Sequence, residues 1–173
     1  MNKLSTLAAL VALGFTAGAQ AQTLTKIQNS GEIAMGVRES SAPLSYTLGN
    51  NRFVGYHVDL CQAIVDNISK TIGKKVNVKY VAVTSQNRIP LTQNGTVDLE
   101  CGSTTNNEAR QKDVAFGLTT YMTEVRMVVK VKSGITSIGQ LNGKTVATTT
   151  GTTSGQTLRK HQRAAKANFK ELF

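Results

Sequence analysis

The sequence has 173 residues, a formal net charge of +10, 40% apolar and 17% charged residues, and no low-complexity stretch, a composition typical of a chain that folds around a core. Its lysines and arginines are scattered, aromatic residues make up 5%, and no nucleic-acid-binding motif is present, so we expect no nucleic-acid partner. A basic field of this kind favours small anionic solutes instead.

The first 21 residues have the composition of a secretory signal peptide. Lys3 provides a basic start, residues 4–15 form an apolar stretch, and Ala19-Gln20-Ala21 is a small-x-small cleavage site. A membrane anchor is the alternative, but an apolar stretch of about a dozen residues is shorter than the roughly 20 that a bilayer requires. We therefore predict cleavage after Ala21 and an exported, soluble protein.

Hydrophobic periodicity predicts alternating strands and helices along the rest of the chain. The predicted elements are a strand at 32–37, a hairpin at 45–54, a long helix at 58–72 ended by Gly73, a strand at 76–83, a short helix at 88–94, a strand at 97–101, a longer strand at 124–132, a helical turn at 137–141, a strand at 144–149 and a helix at 154–168. This alternation is typical of an α/β fold with a parallel sheet and right-handed crossovers.

Cys61 and Cys101 are the two cysteines of the chain. In an oxidising compartment such a pair indicates one disulfide, since a helix carrying Cys61 and a strand ending at Cys101 would pack together. The alternative is two buried thiols that act as small apolar groups. Two cysteines without clustered histidines provide too few ligands for zinc, so we expect no metal site.

Polar clusters follow four of the predicted strands, and ligands of parallel sheets bind beyond the carboxyl ends of the strands. These clusters contain Arg38, Ser85, Arg88, Ser103, Thr105, Arg110, Thr152 and Thr153. Guanidinium groups bind carboxylates in bidentate fashion, and free amides at helix starts add further donors. The pattern favours a small anion held in a cleft over bond breaking.

Each cluster also has a simpler interpretation. Arg38 alone would be a surface arginine, and the hydroxyl groups at 103–105 and 151–153 could be helix caps or turns. His57 and His161 are interpreted as ordinary surface or packing histidines. The convergence of four clusters on one edge of the sheet favours a binding site.

Several longer motifs carry a resemblance to a known family. They are residues 36–41 (Gly-Val-Arg-Glu-Ser-Ser), Gly55-Tyr56 with Asp59, residues 84–90, residues 100–107 (Glu-Cys-Gly-Ser-Thr-Thr-Asn-Asn) with Arg110, and residues 151–154. In this order they resemble the periplasmic solute-binding proteins of polar amino acid ABC transporters, family 3, and most closely the glutamate/aspartate-binding branch. The resemblance implies a two-lobe, type II periplasmic-binding-protein-like α/β fold.

The resemblance also implies roles for the candidate residues. Arg38, Ser85 and Arg88 would bind the side-chain carboxylate of the ligand, and Ser103 would meet its α-amino group. The α-carboxylate would be bound by Thr105, Arg110, Thr153 and also Thr152. A neutral side chain would leave buried arginine charge unpaired, which favours glutamate or aspartate over glutamine.

The implied function is capture of an acidic amino acid in the periplasm and its delivery to an ABC permease in the inner membrane. No cofactor and no reaction are expected, and the default oligomeric state is a monomer. One alternative is a periplasmic dehydratase-type enzyme on the same scaffold, with Glu100 or Glu108 as acid or base, although local capping or pairing suits both residues better. Another is the ligand-sensing domain of a receptor, which would require a transmembrane segment.

The resemblance divides the chain into a signal peptide at 1–21, a first lobe at 22–124, and a crossing strand with part of a second lobe at 125–173. We therefore expect a truncated product that exposes an apolar face over residues 144–173. Such a chain should bind weakly or not at all, because two lobes usually close around the ligand.

Overall fold

The structure is a computed structural model that describes residues 22–173, so the predicted signal peptide lies outside the described residues. Its helices are α1 (Gln22–Ser30), α2 (Tyr56–Ile72), α3 (Arg88–Gln93), α4 (Glu108–Gln111) and α5 (Thr153–Ala164), with 3-10 turns at Val131–Ser133 and Ile138–Leu141. Its strands are β1 (Glu32–Val37), β2 (Ser40–Ser41), β3 (Ser45–Thr47), β4 (Phe53–Val54), β5 (Asn77–Ala82), β6 (Leu99–Glu100), β7 (Thr145–Ala147) and β8 (Lys170–Leu172).

A three-stranded parallel sheet in the order β5-β1-β6 forms the centre of the first part of the chain. Helix α2 packs against this sheet through Val58, Cys61 and Val65, which join the buried side chains of β1 in one apolar cluster. The parallel α/β arrangement predicted from the sequence is confirmed. It places the carboxyl ends of all three strands at one edge.

Two glycines determine where α2 begins and ends. Gly55 precedes the helix with φ 130°, and a Cβ at this position would lie 2.5 Å from the carbonyl oxygen of Leu44. Gly73 ends the helix in the left-handed conformation with φ 65°, as predicted, because glycine adopts this conformation without a steric penalty. The predicted hairpin is also present, with β3 antiparallel to β4.

The second part of the chain departs from the prediction in three places. The predicted strand at 124–132 is wrong: this segment has no strand, because it pairs with no other described strand, and its Val128 is 93% exposed. The predicted helix at 154–168 ends earlier, at Ala164, because Ala167 and Phe169 pack against Leu141 instead of continuing the helix. Strand β8, which pairs in parallel with β7, has no counterpart among the elements predicted from the sequence.

An open groove of ≈ 860 Å³ runs beside this second part of the chain. Its apolar lining includes Val125, Val146 and Leu158. Leu172 and Phe173 are also more than half exposed. The apolar face expected over residues 144–173 is thus only partly covered by the described residues.

A disulfide joins Cys61 on α2 to Cys101, the residue that follows β6, with a Cα–Cα distance of 6.2 Å. The bond closes a loop with a sequence separation of 40 residues. It fastens the long helix to the strand end from which residues 103–110 depart. The disulfide alternative of the sequence analysis is therefore the one present in the structure.

We predict that this disulfide stabilises the fold by about 2–4 kcal/mol, because it restricts the unfolded chain. Urea unfolding of the oxidised and the reduced protein should give a lower midpoint after reduction. The double variant Cys61→Ala/Cys101→Ala is the matched control, since reductant should not change its midpoint. Equal midpoints for the oxidised and reduced wild-type protein would contradict the prediction.

Candidate functional site

The polar clusters predicted from the sequence follow the carboxyl ends of strands in the structure. Arg38 follows β1 directly, and Ser85 follows β5 by three residues. Ser103 comes three residues after β6, and Thr152 lies in the turn between β7 and α5. The second part of the chain brings this last turn against the clusters that follow β5 and β6.

Arg88 is the first residue of α3 and is only 3% exposed. The preceding turn is fixed by two reciprocal hydrogen bonds: the Thr84 amide donates to Oδ1 of Asn87 at 2.7 Å, and the Asn87 amide donates to Oγ1 of Thr84 at 3.2 Å. No hydrogen bond occupies the Nε or Nη1 of Arg88 within the described part of the chain. The guanidinium group of Arg88 is therefore shielded from water, although two of its nitrogen atoms donate no hydrogen bond to the described residues.

Arg38 is positioned by the serines around it. Its backbone amide donates to Oγ of Ser45 at 2.9 Å, and its Nε donates to Oγ of Ser41 at 3.3 Å. Ser103 donates to the same Ser41 hydroxyl at 3.4 Å, which links the cluster after β6 to the cluster after β1. The Nη1 of Arg38 is buried and has no described hydrogen-bond partner.

Arg110 lies on α4, where the side chain of Asn107 caps the helix by accepting from the Arg110 amide at 3.0 Å. Its Nη1 donates to the carbonyl oxygen of Thr105, and its Nη2 donates to the carbonyl oxygen of Gly151, each at 3.0 Å. A guanidinium group carries five N–H donors, so these two bonds leave further donors available.

The turn before α5 closes against this arginine. The hydroxyl groups of Thr105 and Thr153 lie 3.4 Å apart, whereas Thr152 donates to the carbonyl oxygen of Thr149 at 2.7 Å within its own turn. Gly151 has φ +76°, and a Cβ on it would lie 2.5 Å from the carbonyl oxygen of Ser85. The structure therefore brings the turn at 149–153 into direct backbone contact with the loop that holds Ser85.

Unpaired buried polar groups of the described residues are concentrated at this site. Five side-chain atoms are buried without a hydrogen-bond partner there: Nη1 of Arg38, Nε and Nη1 of Arg88, Oε1 of Glu100, and Oγ1 of Thr104. Native proteins contain few such groups, so their concentration here marks a candidate site for a polar ligand. Three of the five are cationic donors, which suit an acceptor such as a carboxylate.

The electrostatics of the site also favour a bound anion. The pKa of Arg88 is lowered to about 10, mainly by burial; the charge of Glu100 opposes this shift, and the positive charges of Arg110 and Arg38 add to it. Burial also lowers the pKa of Arg110, and it raises the pKa of Glu100. An anion bound among these arginines would relieve their mutual repulsion.

Two residues have more specific surroundings than the sequence analysis gave them. Glu100 lies among the arginines instead of capping a helix, and His57 bridges two separate segments. The Nδ1 of His57 is 2.5 Å from the carbonyl oxygen of Gly102, and its Nε2 is 2.9 Å from the hydroxyl of Thr120. The partners of His57 are 45 and 63 residues away in sequence, so no local pattern could have indicated them.

Other site types find no support among the described residues. Residues 22–173 contain no group of three or more His, Cys, Asp or Glu side chains that could hold a metal ion. Over the same range, no helix is both long and apolar enough to cross a membrane. The apolar groove beside residues 125–130 is lined by none of the candidate binding residues.

Residues 33–173 match the family of bacterial extracellular solute-binding proteins, family 3. The chain is 42% identical over 172 residues to the glutamate/aspartate import solute-binding protein of Escherichia coli (strain K12), covering 94% of this chain and 57% of that protein. It is 44% identical over 155 residues to the L-glutamate/L-aspartate-binding protein of Pseudomonas aeruginosa, covering 88% of this chain and 51% of that protein. The chain thus spans about half the length of these curated relatives.

Solved structures show the same fold. The ancestral amino acid-binding protein AncCDT-1, a precursor of cyclohexadienyl dehydratase, is similar with a TM-score of 0.67 and 26% identity, over 87% of this chain and 64% of that one. The mixed α/β, type II architecture is therefore confirmed.

We predict that Gly151→Ala displaces the turn at 149–153 from the arginine cluster, because a Cβ would clash with the backbone of Ser85. The added methyl group also strains a left-handed residue by about 1–2 kcal/mol. Gly143→Ala is the matched control, since Gly143 has φ +71° and nothing within 4 Å of a Cβ. Urea unfolding should show a larger loss of stability for Gly151→Ala, and equal losses would contradict the contact.

Proposed function

The chain belongs to the bacterial extracellular solute-binding proteins, family 3, and we propose that it captures L-glutamate or L-aspartate for an ABC importer. In this proposal the signal peptide at 1–21 directs export to the periplasm, where cleavage after Ala21 releases a monomeric binding protein. The loaded protein delivers its ligand to a permease in the inner membrane. The family match and the names of the relatives support the ligand class.

One observation carries the proposal: the guanidinium group of Arg88 is buried, and its Nε and Nη1 lack a hydrogen-bond partner among the described residues. A buried unpaired charge is costly, and a ligand carboxylate that binds it removes that cost. Arg38, with its own free Nη1, would belong to the same anion subsite, together with Ser85 in the turn that leads to Arg88. This subsite would take the side-chain carboxylate of the ligand.

The other end of the amino acid would lie nearer to Arg110. Thr105 and Thr153 approach each other beside this arginine, with Thr152 in the same turn, and together they would bind the α-carboxylate. Ser103, which is linked to Arg38 through Ser41, would accept from the α-ammonium group. Three arginines then meet two carboxylates and one amine, with residues 22–124 and 125–173 contributing from two lobes.

The role is non-catalytic in this proposal. Glu100 would be the acid or base of an enzyme on this scaffold, but its Oε1 is buried and enclosed against Gly102 and Arg38. A general acid or base must come within hydrogen-bond reach of the reacting proton. The geometry of Glu100 favours an electrostatic role instead.

Thermal unfolding of the chain from Gln22 onward tests the ligand class. L-glutamate and L-aspartate, added up to millimolar concentration so that weak binding is detected, should raise the melting temperature, because they bind the folded state only. L-glutamine should raise it much less, because its side chain carries no charge for the arginines, and L-arginine should not raise it. A rise with L-glutamine as large as that with L-glutamate, any rise with L-arginine, or no rise with any ligand would overturn the proposed function.

Two arginine variants, tested with the same ligands, show whether the response arises at this site. Arg88→Met should weaken the binding of acidic ligands roughly 10- to 100-fold, as expected from the loss of hydrogen bonds to a charged group. Arg52→Met is the control, because Arg52 is an exposed arginine in the β3–β4 turn. If acidic ligands raise the melting temperature of Arg88→Met as much as that of the wild-type protein, Arg88 does not bind the ligand carboxylate.

A further inference from the structure

Glu100, the last residue of β6, places a carboxylate inside the arginine cluster. Its Oε1 is buried and has no hydrogen-bond partner among the described residues. A Cβ on Gly102 would lie 2.3 Å from this oxygen and 2.7 Å from Cγ of Arg38, so the glycine leaves the space that the carboxylate occupies. The carboxylate is therefore enclosed by protein at the site.

Charged groups face Glu100 from four elements. After burial, which raises the pKa of Glu100, the Thr104 hydroxyl has the largest effect and lowers this pKa, followed by the charges of Arg88, Arg38 and His57 on α2. Arg110 on α4 feels the charge of Glu100 in turn. Yet Glu100 forms no salt bridge with any described residue. Glu100 therefore acts on the arginines through the field of its charge and not through a salt bridge.

We propose that Glu100 is a specificity-determining residue, whose protonation sets how strongly the site prefers a carboxylate over a carboxamide on the ligand side chain. Ionised Glu100 offsets part of the positive charge that Arg38 and Arg88 present. Protonated Glu100 leaves that charge available to a ligand carboxylate. A carboxamide is neutral and barely responds to the change. This inference rests on the proposed function of the same site.

The direction of the pH effect follows from linkage. Burial raises the pKa of Glu100, so its protonated form extends above the usual range. A second carboxylate beside Glu100 raises that pKa further, and binding of an acidic ligand is therefore accompanied by proton uptake. Affinity for L-glutamate should increase as the pH falls towards 5, where the ligand side chain, with a pKa of about 4.3, is still mostly ionised. Affinity for L-glutamine should stay nearly constant.

The test compares dissociation constants of the purified full chain for L-glutamate and L-glutamine between pH 5 and pH 8 by calorimetry. In the wild-type protein the preference for L-glutamate should grow up to about tenfold towards pH 5. Glu100→Gln should remove this dependence and show the stronger preference already at pH 8. A pH dependence that is the same in Glu100→Gln and in the wild-type protein would overturn the proposal.

The imidazole of His57 contacts the carbonyl oxygen of Gly102, two residues after Glu100, and therefore needs its own control. The variant His57→Gln should keep the pH dependence of the preference, since that dependence belongs to Glu100. Loss of the dependence in His57→Gln, together with its persistence in Glu100→Gln, would assign the effect to the histidine and overturn the proposal. Absence of binding of either ligand to every protein at every pH would overturn the proposed function and this inference with it.

A measurement on the wild-type protein does not depend on the folding of any variant. The carboxyl 13C signal of Glu100 reports its titration midpoint by NMR. The midpoint should rise when L-glutamate saturates the site and stay in place with L-glutamine. A midpoint that L-glutamate leaves unmoved would overturn the proposal even though the ligand binds.

Discussion

Arg88 keeps a guanidinium group almost out of contact with water although its Nε and Nη1 have no hydrogen-bond partner in the described part of the chain. The Nη1 of Arg38 is also buried without a described hydrogen-bond partner, and the two cations repel each other. Folding must therefore place like charges together without the anion that would stabilise them. The packing of the surrounding residues must hold these charges in place.

The parallel sheet provides this support. The carboxyl ends of β1, β5 and β6 lie at one edge, so the clusters that follow them meet without any long loop. The apolar cluster between α2 and the sheet, together with the disulfide from Cys61 to Cys101, fixes the strand end that leads to Ser103. Gly102 and Gly151 complete the arrangement, because a side chain at either position would collide with Glu100 or with the backbone of Ser85.

Much of this could be predicted from the sequence because it depends on local patterns. Apolar spacing indicated α2, Gly73 indicated its end, and polar residues after each strand indicated the site edge. The strand predicted at 124–132 failed because a strand requires a hydrogen-bonded partner, which its own residues do not specify. The bridge made by His57 and the contact of Gly151 with Ser85 depend on tertiary packing across many residues. Likewise, the buried state of Glu100 follows from its neighbours in space and not from its neighbours in sequence.

Whether the free donors of Arg88 bind the ligand can be measured directly. The Nε–H group of each arginine gives its own 1H–15N NMR signal, and Arg52 in the exposed β3–β4 turn provides an internal reference. On addition of L-glutamate, the Arg88 signal should shift and its proton should exchange more slowly with water, while the Arg52 signal stays unchanged. An Arg88 signal that remains unchanged at saturating L-glutamate would contradict the central role of this buried arginine.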